Sequence, residues 1–156
     1  MIFHLSIAAD EPARVARVVA ELWGGKARIF PPVGQGSAVA TSGDGIGTTL
    51  EIYARGTELA PADGDADAFA MINPDAPRRT ATHFAMATAL SQAEVFAIAE
   101  REGWLAKYRK RGGLFGVIEL WIENAVLAEV LTPEMQDEYR ALWTRGGPPW
   151  PEVAAA

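Results

Sequence analysis

The 156-residue chain has no cysteine, which excludes disulfides and thiolate ligands together. Any metal bound here must therefore be held by nitrogen and oxygen atoms. Histidine is nearly as scarce, occurring only as His4 and His83. No apolar run approaches the ~20 residues that span a bilayer, so no membrane partner is expected. The opening Met1-Ile2-Phe3-His4 lacks the basic region of a secretory signal and already reads as a strand, which points to a cytoplasmic protein. Positive charge is in deficit, with 14 Lys and Arg against 20 Asp and Glu. The resulting net charge of −6 argues against a nucleic-acid binder, because phosphate contacts need a basic surface. Apolar residues, at 49%, are plentiful enough for a sizeable core in one domain or in two small modules sharing one.

Patterning along the chain divides it in two. Residues 2–8 alternate, with Ile2, His4 and Ser6 on one face and Phe3, Leu5 and Ile7 on the other. Asp10 reads as an N-cap with Pro12 in the first turn. Val15, Val18, Val19 and Leu22 follow at helical spacing, and Gly24-Gly25 stops the helix. Strands are predicted over Lys26–Val33, fraying at Pro31-Pro32, and over Ser37–Thr41 and Thr48–Ala54, the last two joined by a turn at Gly43-Asp44-Gly45. Residues 56–81 are acidic, Pro-containing and poorly patterned, and read as a linker with a short apolar run, Phe69–Ile72. The pattern then restarts. A strand at Thr82–Thr88 leads to a helix opened by a Ser91/Glu94 capping box, and strands follow at Trp104–Arg111, Phe115–Ile122 and Val126–Leu131. A repeat of about 80 residues is the strongest organisational feature. The expected fold is α+β: two β-α-β-β-β modules, 1–55 and 82–132, forming paired curved mixed sheets around a central cleft. Linker 56–81 joins them, and a C-terminal helix and tail occupy 133–156.

The two histidines hold equivalent places in this repeat. Each lies in the first strand of its module, and a glutamate lies in the last: His4 and Glu51 are 47 positions apart, His83 and Glu129 46. If the greasier face of each strand meets a helix, Phe3, Leu5, Ile7, Phe84, Met86, Leu50 and Ile52 turn one way, and His4, His83 and Glu51 turn the other. Val126–Leu131 is apolar on both faces and orients Glu129 less decisively. Glu119 and Trp121 fall on the same side as His83, and Tyr53 accompanies Glu51, so all three are candidate pocket residues. Two neutral imidazoles and two carboxylates neutralise a divalent ion and leave two octahedral positions for water or a bidentate substrate.

The twice-repeated module, with His in the first strand and Glu in the last of each copy, resembles the vicinal oxygen chelate superfamily, which includes glyoxalase I, extradiol dioxygenases and the bleomycin and fosfomycin resistance proteins. The resemblance covers about residues 1–132. It implies that His4, Glu51, His83 and Glu129 are metal ligands, for Ni, Zn, Co, Mn or Fe(II), and that the half-open sheets are often completed in a homodimer. The Arg and Asn with which glyoxalase I grips glutathione have no counterpart, since Ala8 and Arg55 fall near those places.

The leading expectation is a metal-dependent, glyoxalase- or dioxygenase-like enzyme acting on a small oxygenated substrate through a chelated oxyanion or enediolate. Lyase or isomerase chemistry is preferred, with Glu51 or Glu129 as the base. The rival is a non-catalytic small-molecule or antibiotic-binding protein whose cavity is lined by residues such as Tyr53 and Trp121. The basic cluster Lys107, Arg109, Lys110 and Arg111 reads as a solvated edge strand that discourages aggregation. Gly43-Asp44-Gly45-Ile46-Gly47 reads as a hairpin turn and not a phosphate loop.

Overall fold

A computed structural model describes residues 2–33 and 36–148. The first module runs β1 (His4–Ala9), α1 (Pro12–Trp23), β2 (Lys26–Ile29), β3 (Ala38–Thr41) and β4 (Thr49–Ala54). The second repeats that order: β7 (His83–Ala87), α2 (Gln92–Glu102), β8 (Leu105–Arg111), β9 (Phe115–Ile122) and β10 (Val126–Leu131). Each module makes a four-stranded sheet, ordered β1-β4-β3-β2 and β7-β10-β9-β8. In both, the first and last strands pair in parallel and the others antiparallel. The parallel pair needs a crossover, which the helix supplies. These are the two β-α-β-β-β modules expected from the repeat.

Alternation sorts the faces as predicted. Leu5, Ile7, Leu50, Ile52, Ala38 and Ala40 pair across the first sheet on one face, beneath the buried stripe Val15, Val18, Val19 and Leu22 of α1. Ile118, Leu120, Ile122, Ala128 and Val130 do the same in the second, with Val95 and Ile98 of α2 in the same core. One continuous apolar cluster runs through both modules. The capping box on α2 is formed, Ser91 Oγ accepting from the Glu94 N–H and the Glu94 carboxylate from the Ser91 N–H at 2.7 Å. A third helix, α3 (Pro133–Thr144), packs across β9 and β10, its Tyr139 ring edge-on to Phe115 at 5.0 Å. It spans the region predicted as a short C-terminal helix. Trp143 leans on Tyr139, and residues 149–156 of the predicted tail lie outside the described residues.

Three expectations are corrected. The strand from Lys26 ends at Ile29, because Pro31-Pro32 removes two ladder donors and a 3₁₀ turn takes their place. Residues 56–81 are not a plain linker: β5 (Thr57–Ala60) and β6 (Phe69–Ile72) pair as a two-stranded antiparallel arm. Asp10 is not the cap of α1, since Glu11 occupies that position and makes no side-chain cap bond. The amides of Asp10 and Glu11 instead donate to the carboxylate of Glu123, at 2.6 and 2.7 Å, from the β9–β10 turn of the other module. Asp10 pairs with Arg55 and with Arg78.

Module docking is ionic at its rim. Arg14 of α1 donates to Glu102 of α2 at 2.8 Å, and Arg101 of α2 holds Glu21 of α1 at 2.6 and 2.9 Å. The Arg55 hydrogen bond holds the Asp10 carboxyl below its ordinary 3.8, and Arg101 does the same for Glu21 against its ordinary 4.5. Burial pushes Glu102 up, but Arg101 and Arg14 together outweigh it and lower that group too. Folded-state values below the unfolded ones mean that the native state binds fewer protons, so stability is present above pH ~4.5 and is lost as pH falls through the lowered values. The thermal midpoint of the wild type should drop steeply below pH ~4.5, and Glu102→Gln should flatten that dependence. A second prediction concerns the close of α1. Gly24 adopts φ +65° there, and a Cβ on Gly25 would lie 1.8 Å from the Thr41 carbonyl oxygen. Gly25→Ala should therefore cost about 2–3 kcal/mol in urea unfolding, read as a lower midpoint at unchanged slope.

Candidate functional site

Parallel register places each histidine the same way. His4 pairs with Thr49 and Ser6 with Glu51; His83 pairs with Leu127 and Ala85 with Glu129. In both modules, then, the histidine sits two residues ahead of the glutamate's cross-strand partner, on the face turned from the helix. Both histidines are exposed, and both line one cavity of about 350 Å³ with Phe3, Trp23, Leu50 and Phe84. Glu51 and Glu129 do not line it. His83 Nδ1 lies 3.0 Å from the Ala81 carbonyl oxygen.

The two glutamates have protein partners of their own. Glu51, half-buried, accepts from Ser6 Oγ at 3.0 Å and from the Tyr53 hydroxyl. Burial, followed by the hydrogen bond to the Glu51 carboxylate, raises the Tyr53 hydroxyl above its ordinary 10.0. Ser6 and Tyr53 help to line a separate cavity of about 230 Å³ with Ala8, Arg55, Arg78 and Thr80. Glu129 lies directly across the strand pair from Glu119, an arrangement that is repulsive by itself. Arg111 resolves it: its guanidinium donates to Glu119 at 2.9 Å and to Glu129 through two nitrogens, one at 2.8 Å. Arg109 adds a looser contact to Glu119 at 3.6 Å. Trp121 pairs with Leu127 on this face and is half-buried.

Sequence reading missed Ser6 as a hydrogen-bond donor and Arg111 as the counter-ion of two carboxylates. The second was within reach, because alternation along β8 puts Lys107, Arg109 and Arg111 on one face and the β8–β9 register sets Lys107 opposite Glu119. The Gly43–Gly47 turn behaves as predicted. The Asp44 carboxylate consumes the amides of Ile46, Gly47 and Thr48 that an anion would need. The side chain of Thr48 foremost, with the amide bonds after it, holds the Asp44 carboxyl down to about 2.

No family model and no curated protein matches this sequence. Solved structures do match its shape. Lactoylglutathione lyase from Agrobacterium tumefaciens superposes with a TM-score of 0.53 at 14% identity, over 83% of this chain and 91% of that one. The trypanothione-dependent glyoxalase I of Leishmania major gives 0.51 at 15%, over 94% and 97%. The chain therefore has the glyoxalase-like paired-module fold.

A divalent ion, implied by that resemblance, can be tested against the side chains present. Among the described residues of one copy, no three His, Asp or Glu side chains converge as a metal site. The carboxylate that would serve in the second module already carries a guanidinium. Within a single chain the residues do not fit the ion. Arg111 is then a structural counter-ion, one-third exposed over carboxylates that are 15% and 17% exposed. Arg111→Ala should cost about 1–2 kcal/mol, between the values of surface and buried pairs, and Glu119→Gln in the same chain should recover much of it. A double-mutant cycle in urea reads both effects.

Proposed function

We propose that the chain binds a small oxygenated molecule on the concave face of its first sheet, at Ser6, Glu51 and Tyr53, without a metal ion. The observation that carries this reading is that both candidate ligand carboxylates are already satisfied by protein groups, Glu129 by Arg111 and Glu51 by two hydroxyls. The adjoining 230 Å³ cavity suits a ligand smaller than a typical drug. Its rim combines hydroxyls with Arg55 and Arg78, which suits a ligand rich in hydroxyl, carbonyl or carboxylate oxygens. Glu51, hydrogen-bonded to the lining hydroxyls of Ser6 and Tyr53, would accept a ligand proton, and the Tyr53 oxygen would accept a hydrogen bond from the ligand while its own O–H stays on Glu51. This is the chemistry of a small-molecule-binding protein related in fold to resistance proteins, with proton transfer on the ligand as its simplest catalytic extension.

A second reading is favoured by the matched register of the two modules, which a purely structural pair of histidines does not require. In it, His4 and Glu51 of one copy and His83 and Glu129 of another hold one divalent ion in a homodimer, and the protein is a glyoxalase-like lyase or isomerase, or a dioxygenase. The ion would polarise adjacent substrate oxygens, and Arg111 would have to leave Glu129.

Metal content separates the two. Protein purified without chelator, then reconstituted with Ni, Co, Mn, Fe(II) or Zn, should hold no stoichiometric metal by elemental analysis. One ion per chain, lost in both His4→Ala and Glu129→Ala, would establish the second reading instead. On the first reading, a catechol, used as the probe, should perturb tryptophan fluorescence or the thermal midpoint in a way that Glu51→Gln weakens by roughly tenfold or more, while chelator changes nothing.

A further inference from the structure

A further cavity, of about 580 Å³, opens where the β3–β4 turn of the first module faces β7 and α3 of the second. It shares no lining residue with the cavity at Ser6 and Tyr53. On β7 it is bounded by the exposed Ala85 and Ala87, whose methyl groups leave it open. On the first module it meets the half-buried Trp23 and the turn residues Asp44 and Thr48. Its volume is within the range of small-molecule sites.

Three features give the first-module wall one electrostatic sign. Trp23 supplies an aromatic ring, whose face is electron-rich. It is also the last residue of α1, so the partly negative carbonyl end of that helix borders the cavity, and its final turn holds no basic residue. Asp44 adds a full charge. All three of its amide bonds meet Oδ1, so no backbone amide is spent on Oδ2. With its carboxyl held down to about 2, it stays ionised throughout the physiological range. Among the described residues no Lys or Arg pairs with it. Arg140 of α3 also lines the cavity, but Asp137 at 3.0 Å and Gln136 at 2.9 Å already hold its guanidinium.

We propose that this cavity binds a small organic cation, a quaternary or alkylated ammonium, with its methyl groups against the Trp23 ring and its charge toward Asp44. Such a head group has few or no N–H donors. It is recognised by an aromatic face and a nearby carboxylate, and both are present on this wall. The site is separate from the one at Glu51 and stands or falls without it.

The experiment is a titration of isotope-labelled full chain with choline, followed by heteronuclear NMR at the Trp23 indole N–H. That resonance is the one absent from Trp23→Phe. The neutral control is the carbon isostere of choline, with a tert-butyl group in place of the trimethylammonium. Choline should shift the Trp23 resonance saturably with a dissociation constant of about 10 mM or tighter, and the isostere should bind about tenfold more weakly. Raising NaCl from about 50 to 500 mM should weaken choline and leave the isostere unchanged. Asp44→Asn keeps an oxygen for the three turn amides, so its spectrum should stay dispersed while choline binds about fivefold or more weakly. Equal binding of choline and the isostere to wild type overturns the proposal, and that comparison needs no variant to fold. So does the absence of a saturable Trp23 shift up to about 100 mM choline. Undiminished choline binding by a folded Asp44→Asn chain overturns it as well.

Discussion

The parallel pairing of each module's first and last strands is the constraint from which most of the molecule follows. A parallel pair cannot be joined by a tight turn, so a helix must cross over between the strands and cover one face of the sheet. That covering assigns Leu5, Ile7, Leu50 and Ile52 to the core and leaves Ser6 beside Glu51 on the open face. The second sheet repeats the arrangement with Ala85 beside Glu129. Residues 45 and 44 positions apart become neighbours, and nearly the same separation appears twice because the same topology is used twice.

What stands on the two open faces has diverged. In the first, the carboxylate of Glu51 is met by neutral hydroxyls and remains the sole acid of its cluster. In the second, two carboxylates lie directly across from each other, and their repulsion demands a cation. Here the cation is a guanidinium from the edge strand, whose planar fork reaches both acids at once. A divalent ion and Arg111 are alternative answers to one electrostatic problem, and a chain that encodes the second has less need of the first.

Period-two alternation and the restart of the pattern near Thr82 were enough to read the module order, the buried faces and the placement of His4, Glu51 and His83. The Ser91/Glu94 box was equally legible because all its parts lie within four residues. Legibility failed where partners are distant in sequence or where a strand is short. The Phe69–Ile72 run is too brief to declare its pairing with Thr57–Ala60 across an acidic loop. Glu129 sits in a strand apolar on both faces, so only the register with Glu119 orients it. Arg111 appeared as one of four basic residues on an edge strand. Its two partners lie 8 and 18 positions away, and no local rule connects them.

Glu123 is held at φ 49°, in the left-handed region that non-glycine residues seldom occupy, and its carboxylate meets the amides of Asp10 and Glu11, the two residues that lead into α1. The lead-in to the first helix is thus held by a turn more than a hundred residues further along. A strand-to-helix junction that neighbouring residues usually fix is here a long-range contact, and it forms only when the two modules have come together.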